Sequence, residues 1–318
     1  MSCSVIIRCF NEEEHIGRLL SGLMLQTVTG VEIIVVDSGS TDATLSIVER
    51  FPATVCHIAP ADFSFGRSLN IGCEAAHHEL LVVASAHVYP IHTTWLESLL
   101  APFADPAVEV AYGRQCGDWR TRFSEEQIFR KWFPARSLAN QTTPFCNNAN
   151  AAVRRATWRR LRYDESLTGL EDIELACRVL RDGGRIAYSA EAVVAHVHQE
   201  TARRIYNRYR REAMALKRIF PEQHMTSLEF LQLLGGNVAS DLYHAYQRGR
   251  LLATASDIVR FRFMQFTGTA SGFAQMGAPN AHLKETLYYP NRLDSAADGH
   301  DERHSDARID YARIMGKD

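Results

Sequence analysis

Apolar residues in the first hundred positions fall into short unbroken runs, separated by stretches in which they recur every three or four residues. "SVIIRCF", "VEIIVVD", "ATVCHIA" and "ELLVVASAH" are runs of the first kind. Unbroken runs of this length predict strands covered on both faces, as in a parallel sheet. Between them, Ile16, Leu19, Leu20 and Leu23 share one helical face. "SGSTDATLSIVERF" supplies a turn and a second helix, "GRSLNIGCEAAHH" a third and "TTWLESLLAPF" a fourth. Asn11 with Glu14, and Thr94 with Glu97, have the spacing of capping boxes. Such alternation implies an α/β fold with right-handed crossovers, whose ligands bind beyond the carboxyl ends of the strands. Three of those ends are polar: Arg8 to Asn11, Asp37 to Asp42, and Ser85 to His87.

After residue 100 the pattern is less regular. "VAYGRQ" predicts a further strand, followed by a polar loop or short helix through Pro134. "FCNNANAAVRR" leads into a helix around Trp158. "LTGLEDIELACRVLRDGG" is a helix with Ile173, Ala176, Cys177 and Leu180 on one face and Gly183 as its stop. "RIAYSAEAVVAHVHQE" predicts two short strands, and the chain from Ala202 to about Phe273 is helical. The expected division is a main unit over 1–220, a helical extension over 221–290 and a charged, poorly ordered tail over 291–318.

Composition narrows the classes. The 318 residues are 46% hydrophobic and 23% charged, with a formal net charge of −2, so no global basic field points to nucleic acid. Seven cysteines are scattered, odd in number and form no CxxC, which suits reduced thiols in a cytoplasmic protein. "MSCSVIIRCFNEEEH" lacks the features of a secretory signal, and the charge-free stretch Phe263 to Leu283 is too polar to span a bilayer. The expected location is cytoplasmic, at most peripheral at the inner face of the membrane.

Several residues carry chemistry. Glu171 and Asp172 open a predicted helix, where the dipole favours ionised carboxylates. His196 and His198 are two apart on a predicted strand, so both rings project from one face. Asn147, Asn148 and Asn150 can both donate and accept hydrogen bonds, as a hydroxyl-bearing ligand requires. "ARRIYNRYRREAMALKRIF" sets Ile205, Tyr209, Ala213, Leu216 and Phe220 at helical spacing among seven positive charges, either a solvated face or a surface for anionic headgroups.

Taken in order, "SVIIRCFNEEEHI", "VEIIVVDSGSTDAT", "GLEDIELACRVLRDGGRIAY" and "AVVAHVH" resemble the successive motifs of the family 2 inverting glycosyltransferases, over about residues 3–220. "YGRQ", "NNAN", "EDIEL" and "HVH" are most similar to bacterial rhamnosyltransferase-like members that build surface polysaccharides. The resemblance implies the GT-A fold, a mostly parallel sheet flanked by helices, with a C-terminal helical extension. It implies transfer from a nucleotide-diphosphate sugar, UDP- or dTDP-linked, to a saccharide or lipid-linked saccharide. Asp172 would be the general base and Glu171 would hold a hydroxyl. Cys9, Phe10, Asn11, Glu12, Asp37 and Ser40 would bind the nucleotide, with Arg67 near a phosphate and Asn70 bracing the loop. The three asparagines would line the donor-sugar or acceptor pocket. Peripheral membrane contact and a homodimer stay open.

One motif departs from the family. Where its members have Asp-x-Asp holding Mn²⁺ or Mg²⁺, this chain has Ser85-Ala86-His87. Hard cations prefer carboxylate oxygen, whereas imidazole suits Zn²⁺, Ni²⁺ or Co²⁺ better. Three outcomes follow: His87 with His196 or His198 holds a divalent metal; histidines and arginines stabilise the diphosphate without metal; or the chain is a catalytically inactive nucleotide-sugar-binding or scaffold protein. A zinc hydrolase is a further alternative, though the chain has no compact H-E-x-x-H motif.

Overall fold

The structure, a computed structural model, describes residues 1–274 and 308–315. Its first part is the predicted alternation. Strands β1 (Cys3–Cys9), β2 (Val31–Asp37), β3 (Ala53–His57) and β4 (Leu80–Ser85) alternate with helices α1 (Ile16–Met24), α2 (Thr44–Val48) and α3 (Phe65–Ala75). β1 pairs in parallel with β2 and β4, and β2 with β3. Along β1, Val5 and Ile7 enter the core shared with Leu19, Leu20, Trp95 and Leu99, while Ile6 enters the one shared with Leu69, Trp158 and Tyr188. Side chains alternate across a strand, so a run buried on both sides must be apolar throughout. Each fully buried Ile or Leu contributes roughly 1.5–3 kcal/mol.

The second part completes a nine-stranded sheet. β5 (Val88–Pro90), α4 (Trp95–Leu100), β6 (Val108–Cys116), α5 (Phe123–Trp132), β7 (Leu138–Gln141), β8 (Asn150–Arg154), α6 (Arg155–Leu161), α7 (Glu171–Arg181) and β9 (Arg185–His196) follow in order. The strand order is β3-β2-β1-β4-β8-β6-β9-β5, with β7 on β9. β8 runs antiparallel to both β4 and β6, and β6 is parallel to β9. The carboxyl ends of β1, β2, β4, β6 and β9 therefore share one edge.

Several local expectations are corrected. Asn11 does not cap α1: it lies at φ +54°, and its side-chain oxygen accepts the Thr41 N–H at 2.8 Å. α1 starts only at Ile16, and its N-cap His15 makes no side-chain cap bond. Thr94 makes no side-chain cap bond to α4 either. The two short strands expected over 185–198 are one twelve-residue strand, β9. Its pairing with β6 shifts register between Gly113 and Gln115, which splits it into two paired halves.

Helices α8 (Ala202–Ile219), α9 (Ser227–Gln247) and α10 (Leu251–Ala274) follow the sheet. α8 falls within the expected 1–220 unit, and α9 and α10 within the expected 221–290 extension, whose last residues lie outside the described ones. A Cβ on Gly268 or Gly272 would meet the Tyr206 or Arg210 carbonyl oxygen at 2.3 or 2.4 Å, so α10 lies tight on α8. Several α8 cations turn to the protein rather than outward. Arg208 pairs with Glu125 and Glu200, Arg218 donates to the Ser166 carbonyl, and Lys217 is buried. No helix of the described residues is long and apolar enough to cross a membrane. All seven cysteines are free. Most of the expected 291–318 tail lies outside the described residues. Its 308–315 part includes α11 (Tyr311–Ile314), buries Ile309 and donates a 2.8 Å hydrogen bond from Tyr311 Oη to the Pro90 carbonyl.

Candidate active site

The strand pairing assembles the site. Arg8 sits opposite Ser85, Cys9 opposite Asp37, and Val88 opposite His196. α7 brings the acidic pair to the same edge, directly after Leu170 at φ +56°, a left-handed conformation that is strained for leucine. A cleft of about 1230 Å³ opens here, lined by Arg8, His87, Asn148, Asp172, His198 and Arg211 among others.

Asp172 is held from two sides. Its Oδ2 accepts the Asn148 N–H and its Oδ1 the Ile173 N–H, each at 2.8 Å. Glu171 is buried and lies 3.1 Å from Arg8 Nη1, with Asn148 Nδ2 donating to it at 3.4 Å. Burial first, and then the negative charge of Glu171, raise the Asp172 carboxyl to about 7, against the two N–H bonds and Arg8. A fixed carboxylate that titrates near neutrality, facing a cleft, can accept a proton from a bound hydroxyl.

His87, His196 and His198 come together from the turn between β4 and β5, the end of β9 and the residues just after it. The rings of His196 and His198 lie 4.0 Å apart, and His87 lies 5.0 and 5.3 Å from them. One candidate ligand atom from each falls within 4.8 Å of the others. His87 Nδ1 faces Glu12 Oε1 at 2.8 Å, His196 Nδ1 faces Gln115 Oε1 at 2.6 Å, and His198 Nδ1 faces Glu125 Oε1 at 2.6 Å. Burial holds both His196 and His198 well below the ordinary 6.5, reinforced by neighbouring imidazoles and Arg208, so both are neutral at pH 7. Neutral imidazoles are the form that ligates metal.

The expected nucleotide wall is placed less uniformly. Asp37 is buried, and its carboxylate accepts the Gly39 and Ser40 N–H groups at 3.0 and 3.2 Å, closing the turn at the left-handed Gly39. Cys9 is buried beside it, its Sγ 3.7 Å from Asp37, and offers no exposed surface to a ligand. Asn11 and Ser40 lie together on the outer side, joined by the Asn11 N–H to Ser40 Oγ at 2.9 Å. Phe10 is exposed. Glu12, expected among the nucleotide contacts, directs its carboxylate to His87. Arg67 is exposed on α3, outside the cleft lining. Asn70 is buried and fastens residues 163–165 to α3. Asn147 and Asn148 line the cleft, but Asn150 does not: it is fully buried in β8 and bonds Trp95, Arg114 and Ala192.

A profile described as Glycosyl transferase family 2 matches residues 4–161. The chain belongs to glycosyl transferase family 2. Curated relatives of this glycosyltransferase include the O-antigen chain rhamnosyltransferases RfbN of Salmonella typhimurium and WbaN of Salmonella anatum. RfbN is 25% identical over 66% of this chain and 70% of its own length; WbaN is 28% identical over 58% and 62%. Among solved structures, the mannosyltransferase PcManGT of Pyrobaculum calidifontis, in complex with GDP-Man and Mn²⁺, aligns at TM-score 0.59 and 20% identity, over 90% of this chain and 87% of its own. Staphylococcus aureus TarS 1–349, in complex with UDP-GlcNAc, aligns at TM-score 0.54 and 19% identity, over 83% and 90%. These likenesses establish the GT-A fold of the glycosyltransferase.

Two residues of this glycosyltransferase site were not singled out in the sequence: Gln115, at the end of β6, and Glu125, in α5. Glu125 is buried and also accepts from Arg208 at 3.2 Å. A buried acid within the aromatic face of "FSEEQIFRKWF" was the available signal, and it needs the helix register to be read.

Proposed function

We propose that this enzyme is an inverting glycosyltransferase that moves a sugar from a UDP- or dTDP-linked donor to a saccharide hydroxyl, in surface polysaccharide assembly. The observation that carries the reading is Asp172, oriented by two backbone N–H groups over a cleft large enough for donor and acceptor. The acceptor oxygen attacks the anomeric carbon from the face opposite the diphosphate. The new C–O bond forms as the bond to the diphosphate oxygen breaks. The proton passes to Asp172, and the nucleoside diphosphate departs with the electron pair.

Arg8 holds Glu171 beside the base, where the Glu171 charge raises the Asp172 carboxyl and Arg8 partly offsets that rise. Arg8 and Arg211 both lie over the Phe65 ring, at 4.8 and 4.5 Å from its centroid, and bring positive charge to the cleft. Asn147 and Asn148 supply hydrogen-bonding groups for sugar hydroxyls, and the outer turn of Phe10, Asn11 and Ser40 supports the nucleoside. The three histidines fit a divalent cation: each has one nitrogen engaged by an oxygen acceptor, and His196 Nε2 is buried with no partner. When bound there, a cation would supply positive charge against the leaving diphosphate. The sugar-acceptor assignment draws on the O-antigen relatives.

The test is nucleoside diphosphate release from a panel of UDP-, dTDP- and GDP-sugars, with donor binding followed by thermal shift. Asp172→Asn should lower turnover by roughly 10³-fold and leave donor binding intact. Near-normal turnover by this variant would remove Asp172 from the role of base. Donor binding without any turnover by the wild type would favour an inactive binder.

A further inference from the structure

We propose that His87, His196 and His198 form a three-imidazole centre selective for a borderline transition-metal ion, Zn²⁺ or Co²⁺, over Mg²⁺ and Mn²⁺, with Glu12, Gln115 and Glu125 as its positioning residues. The inference deepens the proposed reaction, resting on that reading for the cation's use but not for its binding.

The argument starts from the ring nitrogens. An oxygen acceptor facing each Nδ1 requires a proton there, so each lone pair lies on Nε2. His196 Nε2 is buried and meets no hydrogen-bond partner, an arrangement that disfavours folding unless something occupies the space before it. His87 Nε2 lies 3.1 Å from Ser85 Oγ, the residue standing at the first position of the family's Asp pair. One nitrogen from each of the three rings lies within 4.8 Å of the others, a partial coordination shell.

The chemistry of that shell sets the metal. None of the three candidate ligands is a carboxylate, and an all-imidazole set ranks Zn²⁺ and Co²⁺ well above the hard cations. Three protein ligands leave positions open, as in catalytic rather than structural zinc sites. Negative charge is present but displaced outward. Glu12 and Glu125 each stand behind a ring, as the partners that orient ligating histidines do. Gln115 does the same for His196 without charge. Glu125 also accepts from Arg208 of α8, so the centre is braced by that helix as well as by the sheet.

The experiment uses the full chain, stripped with a chelator and titrated separately with Zn²⁺, Co²⁺, Mn²⁺ and Mg²⁺. Calorimetry follows all four, and visible absorbance follows Co²⁺. The expected result is one equivalent of Zn²⁺ or Co²⁺ bound at least 100-fold more tightly than Mg²⁺ or Mn²⁺. His87→Ala and His196→Ala should each weaken this at least 100-fold. Glu125→Gln should weaken it about 10- to 100-fold. His87 is only half-buried, so its variant serves if the His196 variant fails to fold. Equal or tighter binding of Mn²⁺ or Mg²⁺ would overturn the proposal. So would tight zinc binding that survives His87→Ala but is lost in His77→Ala, which would place the ion at the opposite end of the sheet. A chain that binds zinc as described but transfers no sugar would defeat the reaction and leave the centre standing. One that transfers sugar with Mg²⁺ and takes up no zinc would do the reverse.

Discussion

Imidazole and carboxylate meet at both ends of the parallel sheet, to opposite effect. At the amino ends, one carboxylate gathers everything. Glu32 accepts from Ser4 Oγ at 2.5 Å, from the His77 N–H at 2.9 Å and from the His77 ring at 2.6 Å, with His78 Nδ1 at 3.5 Å. At the carboxyl ends, each imidazole has its own acceptor, and one nitrogen from each ring lies within 4.8 Å of the others. The first cluster closes on itself and ties β1, β2 and the start of β4 together. The second leaves His196 Nε2 buried without a hydrogen-bond partner. Similar side-chain chemistry therefore makes a brace in one place and the proposed metal centre in the other, according to how many acceptors share the rings.

The sharpest way to break that contrast is at the acid pair. Asp172→Asn should reduce kcat/KM by about 10³-fold while the melting temperature stays within about 2 °C, measured by diphosphate release and calorimetry. A pH profile comes next in size. As the proposed base, Asp172 must be unprotonated to act, so kcat/KM should fall about tenfold per pH unit below about 7, and the limb should vanish in the asparagine variant.

Glu32→Gln should do the opposite: lose about 2 kcal/mol of stability in urea, with kcat/KM within twofold of wild type. Burial pushes the Glu32 carboxyl up, but the Ser4 and His77 hydrogen bonds outweigh it and hold it at about 2 against an ordinary 4.5. Its folded pKa is depressed, so its stabilisation is full above about 4.5 and disappears as pH falls through about 2. The stability–pH curve of Glu32→Gln should be flatter across that window. Smallest of all, His77→Ala should change stability by no more than about 0.5 kcal/mol, because that ring is 81% exposed.

Much of this was legible in the chain. Unbroken apolar runs gave the parallel half of the sheet, since burial on both faces excludes polar residues from such strands. The Glu171-Asp172 pair and the two-residue spacing of His196 and His198 placed the carboxyl edge. The supporting partners were not legible. Gln115 and Glu125 reach their histidines across 81 and 73 residues of sequence, and no local period encodes such a meeting. β8 was missed because Ala151 and Ala152 carry helical preference and five residues are too few to show alternation. Asn11 mimicked a helix cap because its spacing from Glu14 was right, yet its side chain was claimed by Thr41 thirty residues on.

The α11 segment has a consequence for the making of the protein. Tyr311 fastens to Pro90, 221 residues earlier, and its hydroxyl occupies the space a Cβ on Gly22 of α1 would need. That corner of the sheet, with β5 and α1 already synthesised, stays unlatched throughout translation of α5 to α10. Closure of a contact so distant in sequence comes late and slowly. Until residue 311 has left the ribosome, the nascent chain lacks the Tyr311–Pro90 hydrogen bond at this edge.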